Sequence, residues 1–456
     1  MNPEVITGPA ITGLILMLII LVLYATEVIP LAVTAIIGSP LLIWFQACTW
    51  AKCNSGYNSD STWMVFAMCM IGACVFDCGL AETIGNALKN VCDSEFKVAI
   101  YMFPVVMIMS AFLNNSATTS TFKPILESVS KASNGKISAR KYLMPLGFAA
   151  SAGGMLTLAG STPQVIINGL FDTTPELAEA GYAPFSFFEF ALVGGPVCII
   201  LLVGVLTFMG KLAEKLFAKD IAEERRISQE FCAAEGAAAV GEKAEVKMDA
   251  KQKKCAFCMA FAIVGFIAQG YVTDYLKFSL STVAITSAML SVILGCWSLK
   301  TLYAESDWNT FFVLAGSISF ASGLSNCGTG LLIAEWAQAM LGDASAFAFY
   351  AVFVVIAIII TQIMSNTAAV AMMGPIAINV ALGMGFSPLP ILMGLAVGCT
   401  AAFMTPVGTP PNTIVLSGGY VPDRPYKFMD YVKLGGIFQV IATVAVVALC
   451  PIFYPL

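Results

Sequence analysis

Long apolar blocks dominate the hydropathy pattern of this chain. A run must hold roughly 20 residues to cross about 30 Å of hydrocarbon. Such runs lie near 9–29, 30–47, 61–80, 97–113, 142–160, 188–210, 255–273, 281–299, 308–326, 346–364, 388–404 and 432–454. Polar clusters interrupt this pattern at two places, Asn114, Asn115, Ser116, Thr118, Thr119, Ser120 and Thr121, and Ser365, Asn366 and Thr367. Each cluster is followed by a proline, Pro124 or Pro375, and then by apolar sequence again. In lipid every backbone polar group needs a partner, so a break in a helix survives only inside protein or along a wet cavity. The pattern therefore predicts two re-entrant helical hairpins with their tips at the asparagines, near 110–132 and 361–384.

One stretch departs from the rest. Residues 211–254 hold a charged amphipathic helix and then an Ala/Gly/Lys-rich segment. It divides the chain into an N-terminal half (1–219), a linker (220–254) and a C-terminal half (255–456). Its Lys and Arg residues, with Lys131, Lys136, Arg140 and Lys141 before residue 142, assign both segments to the cytoplasm by the positive-inside rule.

The halves repeat each other. A shift of 251 residues lays Gly79 on Gly330, Ser110 on Thr361, Asn115 on Asn366 and Pro124 on Pro375, so NNSATTSTFKPI faces SNTAAVAMMGPI. Farther on, GSTPQ (160–164) faces GTPPN (408–412) at a shift of 248. Two motifs in the same order at a near-constant offset indicate internal duplication. If all twelve runs cross, the halves are parallel; if one fails to cross, with 30–47 and 281–299 the candidates, the second half is inverted. The expected fold is an all-α integral membrane protein of about 11 transmembrane helices in two inverted repeats, each with a re-entrant hairpin and a broken helix.

Composition agrees with lipid as the solvent. Of 456 residues, 58% are hydrophobic and 11% charged, with mean hydropathy +0.85, whereas a soluble domain carries about 25% charged residues. The net charge of −5 is confined to a few loops and gives no footprint for nucleic acid. The 14 cysteines sit mostly in apolar runs and read as small hydrophobes. Cys255 and Cys258 have CxxC spacing, but with no second CxxC and no His in the chain the spacing reads as chance. The first run lacks a basic flank and a cleavage site, so it is expected to be its own targeting element. Without His or converging carboxylates in the runs, no catalytic set can be assembled, and a transporter is expected rather than an enzyme.

At a hairpin tip, short polar side chains cap helix ends and free N–H groups present positive charge to an anion. Carbonyls and hydroxyls at neighbouring helix ends suit a hard cation such as Na⁺. Gly160 and Gly408 permit helix breaks, and Gln164 and Asn412 add amides that could orient a carboxylate. Ionisable residues at membrane depth are costly and default to functional hypotheses. Here they are Glu27, Asp77, Lys123 and Glu189; the acidic three are read as structural, near the ends of runs. Lys123 either snorkels to the cytoplasmic surface or lends charge to the anion site.

These residues resemble a known family, the divalent anion/sodium symporters, over nearly the whole chain outside the linker. The carriers of the resemblance are TEVIPLAVTA (26–35), the two hairpin motifs, LMPLGFAASAGGMLTLAGSTPQ (143–164) and MTPVGTPPNTIVLSGG (404–419). The resemblance implies sodium-coupled symport of small dianions, most of all C4 or C5 dicarboxylates, by an elevator motion in a homodimer. Sodium-independent exchange and a sulfate or inorganic anion cargo stay open as alternatives. It implies substrate contacts at Asn115, Ser116, Ser161, Thr162, Asn366, Thr367, Thr409 and Pro410. It implies sodium ligands at Ser110, Asn114, Asn115 and Gly160, and at Thr361, Ser365, Asn366 and Gly408. The second set keeps the family's Ser-Asn-Thr and Gly-Thr-Pro-Pro-Asn strings and the first does not, so sodium is expected at the second site before the first. The expected location is a prokaryotic plasma membrane, with lipid and a small anion as partners.

Overall fold

A computed structural model describes residues 6–235, 247–272, 279–341, 345–421 and 424–456, all of it helix and connecting loop without strands. We number the principal helices in chain order. The first half holds α1 (Gly8–Thr26), α2 (Leu31–Trp44), α3 (Asp60–Asp77), α4 (Leu80–Lys89), α5 (Glu95–Phe112), α6 (Asn115–Lys131), α7 (Ala139–Gly153), α8 (Thr162–Thr173) and α9 (Ala191–Leu216). Then come α10 (Ala218–Glu235), α11 (Ala250–Val272), α12 (Leu280–Ile293), α13 (Trp308–Asn326), α14 (Thr329–Leu341) and α15 (Ala346–Ile360). The chain closes with α16 (Asn366–Gly383), α17 (Leu389–Thr400), α18 (Pro410–Val415) and α19 (Phe428–Phe453). Short polar residues start several of them by accepting an otherwise orphaned N–H: Thr7 from Ala10 (3.2 Å), Asp307 from Thr310 (2.9 Å) and Ser345 from Ala348 (3.2 Å).

Helices of the two halves follow one another in the same order, and their packing is reciprocal. Helix α2 runs along α13 while α12 runs along α3; α8 lies on α16 while α18 lies on α6. Likewise α7 meets α18 as α17 meets α8, and α1 meets α14 as α11 meets α4. Helices α7 and α17 form the centre. Every residue of α7 is buried, and its small side chains let backbones touch: a Cβ on Gly153 would stand 2.3 Å from the Met107 carbonyl.

Among the described residues, five helices are long and apolar enough to cross a membrane: α3, α5, α9, α16 and α19. Helices α2, α12, α15 and α17 are apolar but shorter, 12–15 residues. Helix α16 was not among the apolar runs, because its polar start and Pro375 dilute the local hydropathy. The runs at 97–113 and 346–364 are the first arms of two helix–break–helix units, α5 with α6 and α15 with α16, so these units begin before the expected 110 and 361. An apolar arm and a crossing helix have the same hydropathy, which is why the pattern did not separate them.

The linker also differs from its expected bounds. Its first part, α10, is docked on the body: Glu224 is fully buried and accepts from Ser138 Oγ and from the Arg140 N–H (3.1 Å), and Ser228 Oγ donates to Lys131 O (2.9 Å). Ile221, Glu224 and Ser228 lie one turn apart and share the inward face. Arg140 pairs with Asp220 (3.1 Å) and lies 3.8 Å from the Tyr426 ring centroid. Residues 236–246 lie outside the described residues, and α11 starts at Ala250 rather than 255.

Candidate functional site

The breaks in both helix–break–helix units have the same construction. After α5, Leu113 turns extended (φ −118°, ψ 163°) and Asn114 caps α6, its Oδ1 accepting from the N–H groups of Ser116 (2.9 Å) and Ala117 (3.2 Å). After α15, Ser365 caps α16 by accepting from Ala368 (3.5 Å). The asparagine that follows each cap is the first residue of its helix and reaches back to the preceding arm. Asn366 Oδ1 accepts from Thr361 Oγ1 (2.7 Å). In the amide orientation that satisfies its neighbours, Asn115 Nδ2 lies 2.5 Å from Ser110 Oγ and donates to Gly160 O (3.1 Å). Asn115 thereby ties the first tip to the first broken helix.

The broken helices match as well. Ser161 (φ −152°, ψ 148°) and Thr409 (φ −151°, ψ 142°) are both extended, and each opens a short helix with proline in its first turn, α8 or α18. Irregular backbone before Thr409 is held internally: Gly408 N–H donates to Thr405 Oγ1 (3.0 Å), and Asn412 Nδ2 donates to the carbonyls of Ala402 (2.9 Å) and Thr405 (2.8 Å). The two halves meet directly where Thr162 Oγ1 and Thr367 Oγ1 share a hydrogen bond of 2.7 Å.

Tips and breaks converge on one cavity of about 820 Å³. All of Asn115, Ser116, Ser161, Thr162, Asn366, Thr367, Thr409 and Pro410 line it, as do Asn114, Gly160, Ser365 and Gly408. Ser110 and Thr361 are fully buried behind the asparagines and outside the lining. Helices α6, α8 and α16 start at its wall, each N-terminus carrying about half a positive charge from its aligned peptides. Such termini hold an anion without a basic side chain.

Three expectations need correction. Gln164 and Asn412 do not face the cavity; both are fully buried, and Asn412 braces the break as above while Gln164 Oε1 accepts from Thr400 Oγ1 (3.4 Å). Sequence could not tell a brace from a ligand, since a buried break needs amide donors for its loose carbonyls. Lys123 is not in the lining: its Nζ donates to Ile414 O (3.3 Å) and Ser417 Oγ and lies 3.9 Å from Glu127, so it fastens α6 to the end of α18. Glu27, read as structural, does line the cavity, and among the described residues it is the one acidic or basic side chain there. It ends α1 in a left-handed conformation (φ 48°), its N–H bonded to Leu23 O. The break in hydropathy at TEVIP was its signal. Asn309 and Thr310, at the start of α13, also line the cavity and had none. Of the remaining acids, Asp77 pairs with Lys251 (3.0 Å) and Glu189 accepts from Tyr454 OH (2.7 Å).

By sequence, this chain is similar to transporters. The profile of the citrate transporter family (CitMHS) matches residues 21–388 and 365–455. An uncharacterized transporter of Haemophilus influenzae is 22% identical, over 97% of this chain and 92% of that one. The sodium-dependent high-affinity dicarboxylate transporter 3 of Caenorhabditis elegans is 25% identical over 92% of this chain and 79% of its own length. The sodium-dependent dicarboxylate transporter SdcS of Staphylococcus aureus is 21% identical over 87% of this chain and 78% of its own. The crystal structure of the Alcanivorax borkumensis YdaH transporter superposes with TM-score 0.49 at 13% identity, covering 98% of both chains.

Proposed function

We propose a function from one premise: the chain belongs to the citrate transporter family, and is therefore a multi-pass membrane transporter and not an enzyme. Its resemblance to the divalent anion/sodium symporters holds on the same ground. From this we infer that it carries C4 or C5 dicarboxylates by sodium-coupled symport. The observation that carries the reading is the meeting of two matched asparagine tips and two matched breaks on one cavity. One carboxylate is held at each tip, by Asn115, Ser116, Ser161 and Thr162 on one side and by Asn366, Thr367, Thr409 and Pro410 on the other. A dianion then spans the helix N-termini of both halves.

Sodium sits behind each tip. In the second half its ligands are Thr361, Ser365, Asn366 and Gly408, which combine two hydroxyls, an amide and a backbone carbonyl, the oxygen set a hard cation takes. In the first half Ser110, Asn114, Asn115 and Gly160 offer a similar set. There the amide of Asn115 turns a nitrogen toward Gly160 O, which leaves that carbonyl engaged by a donor. The second site is accordingly the stronger one. The two halves, 1–219 and 255–456, act as inverted repeats joined by 220–254, and the tips and breaks move as a body in an elevator motion within a homodimer.

Uptake into proteoliposomes tests this. Succinate should accumulate with an inward sodium gradient and not without one. Sulfate uptake with no dicarboxylate uptake would overturn the choice of substrate, and succinate exchange indifferent to sodium would overturn the coupling.

A further inference from the structure

Five of the cysteines gather at one end of the molecule, although they come from three separated stretches of sequence. Cys74 and Cys78 lie one turn apart at the end of α3, Cys255 and Cys258 one turn apart at the start of α11, and Cys296 follows α12. The CxxC pair does not face itself. Cys255 Sγ is 3.6 Å from Cys74 Sγ, a residue 181 positions away, and has Cys78 as its next thiol neighbour. Cys258 instead neighbours Cys296. Cys74, Cys255 and Cys258 are fully buried, and Cys78, at 8% exposure, is the least buried of the four. Above them sits an exposed ion pair, Lys251 with Asp77 (3.0 Å), and Gln252 Nε2 donates to Cys78 O (3.2 Å). Among the described residues no group of three or more His, Cys, Asp or Glu is arranged to hold a metal ion.

A thiol pair in van der Waals contact, with a less buried thiol beside it, suits two-electron oxidation. An S–S bond is about 2.05 Å long, so the Cys74 and Cys255 sulfurs must close by roughly 1.5 Å from their 3.6 Å separation. Rotation about the side chains of two helices that already touch supplies a movement of that size. We propose that Cys74 and Cys255 are a redox modification site, forming a reversible disulfide when a peroxide reaches the cluster past Cys78. One thiol, losing its proton, attacks a peroxide oxygen; the O–O bond breaks, a sulfenic acid forms and water leaves. The sulfur of the other thiol then attacks the sulfenic sulfur, the S–O bond breaks, and a second water leaves with the released protons. Two thiols lose two electrons and the peroxide becomes two waters.

The bond would staple the first half to the second. Helix α3 contributes Val65, Met68 and Cys69 to the transport cavity, so the stapled helix is one of its walls. Cross-linking residues so far apart in sequence restricts the unfolded chain and raises stability. The inference does not depend on which anion is carried.

The test uses the full chain in detergent, exposed to hydrogen peroxide and then alkylated. Expected are the loss of two of the 14 free thiols, a peptide linked through Cys74 and Cys255 on mass mapping, restoration by dithiothreitol, and a melting temperature a few degrees higher when oxidised. Cys255→Ser and, separately, Cys74→Ser should abolish the thiol loss and the shift, while Cys198→Ser, a buried thiol elsewhere, should change neither. Because the linked peptide is read on the unsubstituted chain, a poorly folding variant leaves the test intact. Persistence of both thiols under peroxide overturns the proposal. So does a bond mapped to another pair, such as Cys48 with Cys53, or equal thiol loss in the serine variants.

Discussion

Gly160 and Gly408 occupy matching places in the two breaks, yet replacing each with alanine should have unequal consequences. Neither has a positive φ, so alanine suits the backbone and only the space around the new Cβ decides. At Gly160 that Cβ would stand 2.6 Å from the Gly154 carbonyl oxygen, 2.9 Å from Gly154 Cα and 3.0 Å from its carbonyl carbon, all backbone atoms. Ordinary contact begins at 3.4 Å, so the two strands of the break must part by about 0.8 Å. The carbonyl of Gly160 is the one that Asn115 Nδ2 reaches at 3.1 Å, and parting the strands pulls the break from the tip. Overpacking of this kind costs about 1–3 kcal/mol, which at about 1.4 kcal/mol per factor of ten predicts a roughly 5- to 150-fold loss of succinate affinity. At Gly408 the nearest atoms are Thr405 Oγ1 (3.0 Å), Ala402 Cβ (3.1 Å) and the Thr361 carbonyl (3.2 Å), which need give only a few tenths of an ångström. A cost below about 1 kcal/mol, the range of well-tolerated changes, predicts less than about a fivefold loss. Succinate titration calorimetry on purified variants, with gel filtration to confirm folding, reads both numbers. Equal losses, or a larger loss for Gly408→Ala, would refute the reasoning from contacts.

Three further outcomes are expected. Thr361→Ala removes a buried hydroxyl that donates to Asn366 Oδ1 at 2.7 Å; a hydrogen bond of this kind contributes about 0.5–1.5 kcal/mol, read as a roughly 2- to 12-fold rise in the sodium concentration for half-maximal uptake. Lys123→Met frees α6 from Ile414 and Ser417; the melting temperature should fall by an amount worth about 1–2 kcal/mol, and an altered sodium dependence of uptake would return the lysine to the anion site. Burial holds the Glu224 carboxyl above its ordinary pKa of 4.5, with hydrogen bonds from Ser138 and Arg140 opposing the shift only in part. A carboxyl whose pKa rises on folding binds its proton more tightly in the folded state. Its favourable contribution is therefore complete below the ordinary value and declines as pH climbs through the window above it. Amide hydrogen exchange across α10 should quicken as pH rises through that window, beyond the intrinsic pH dependence measured on a peptide of the same sequence, and Glu224→Gln should flatten the excess. An excess that is the same in both proteins would refute this role for Glu224.

The sequence by itself determined that the solvent is lipid, and it singled out two matching stretches whose asparagines, Asn115 and Asn366, and glycine–proline breaks meet at one cavity. These features are written locally, in hydropathy, in residues that end helices and in strings that recur at a fixed offset. That the tip and break residues line the cavity was readable for the same reason, since a backbone break in lipid must face either protein or water. Tertiary structure alone decided which atoms meet across the fold. It made Gln164 and Asn412 internal braces, sent Lys123 to the end of α18, and brought Glu27 to the cavity wall. It joined Thr162 to Thr367 across 205 residues and Cys255 to Cys74 across 181. Hydropathy records how much of a helix is hidden, and not which neighbour hides it. That choice belongs to helix packing, where the same buried amide, thiol or lysine becomes a ligand, a brace or a fastening according to the surface it is pressed against.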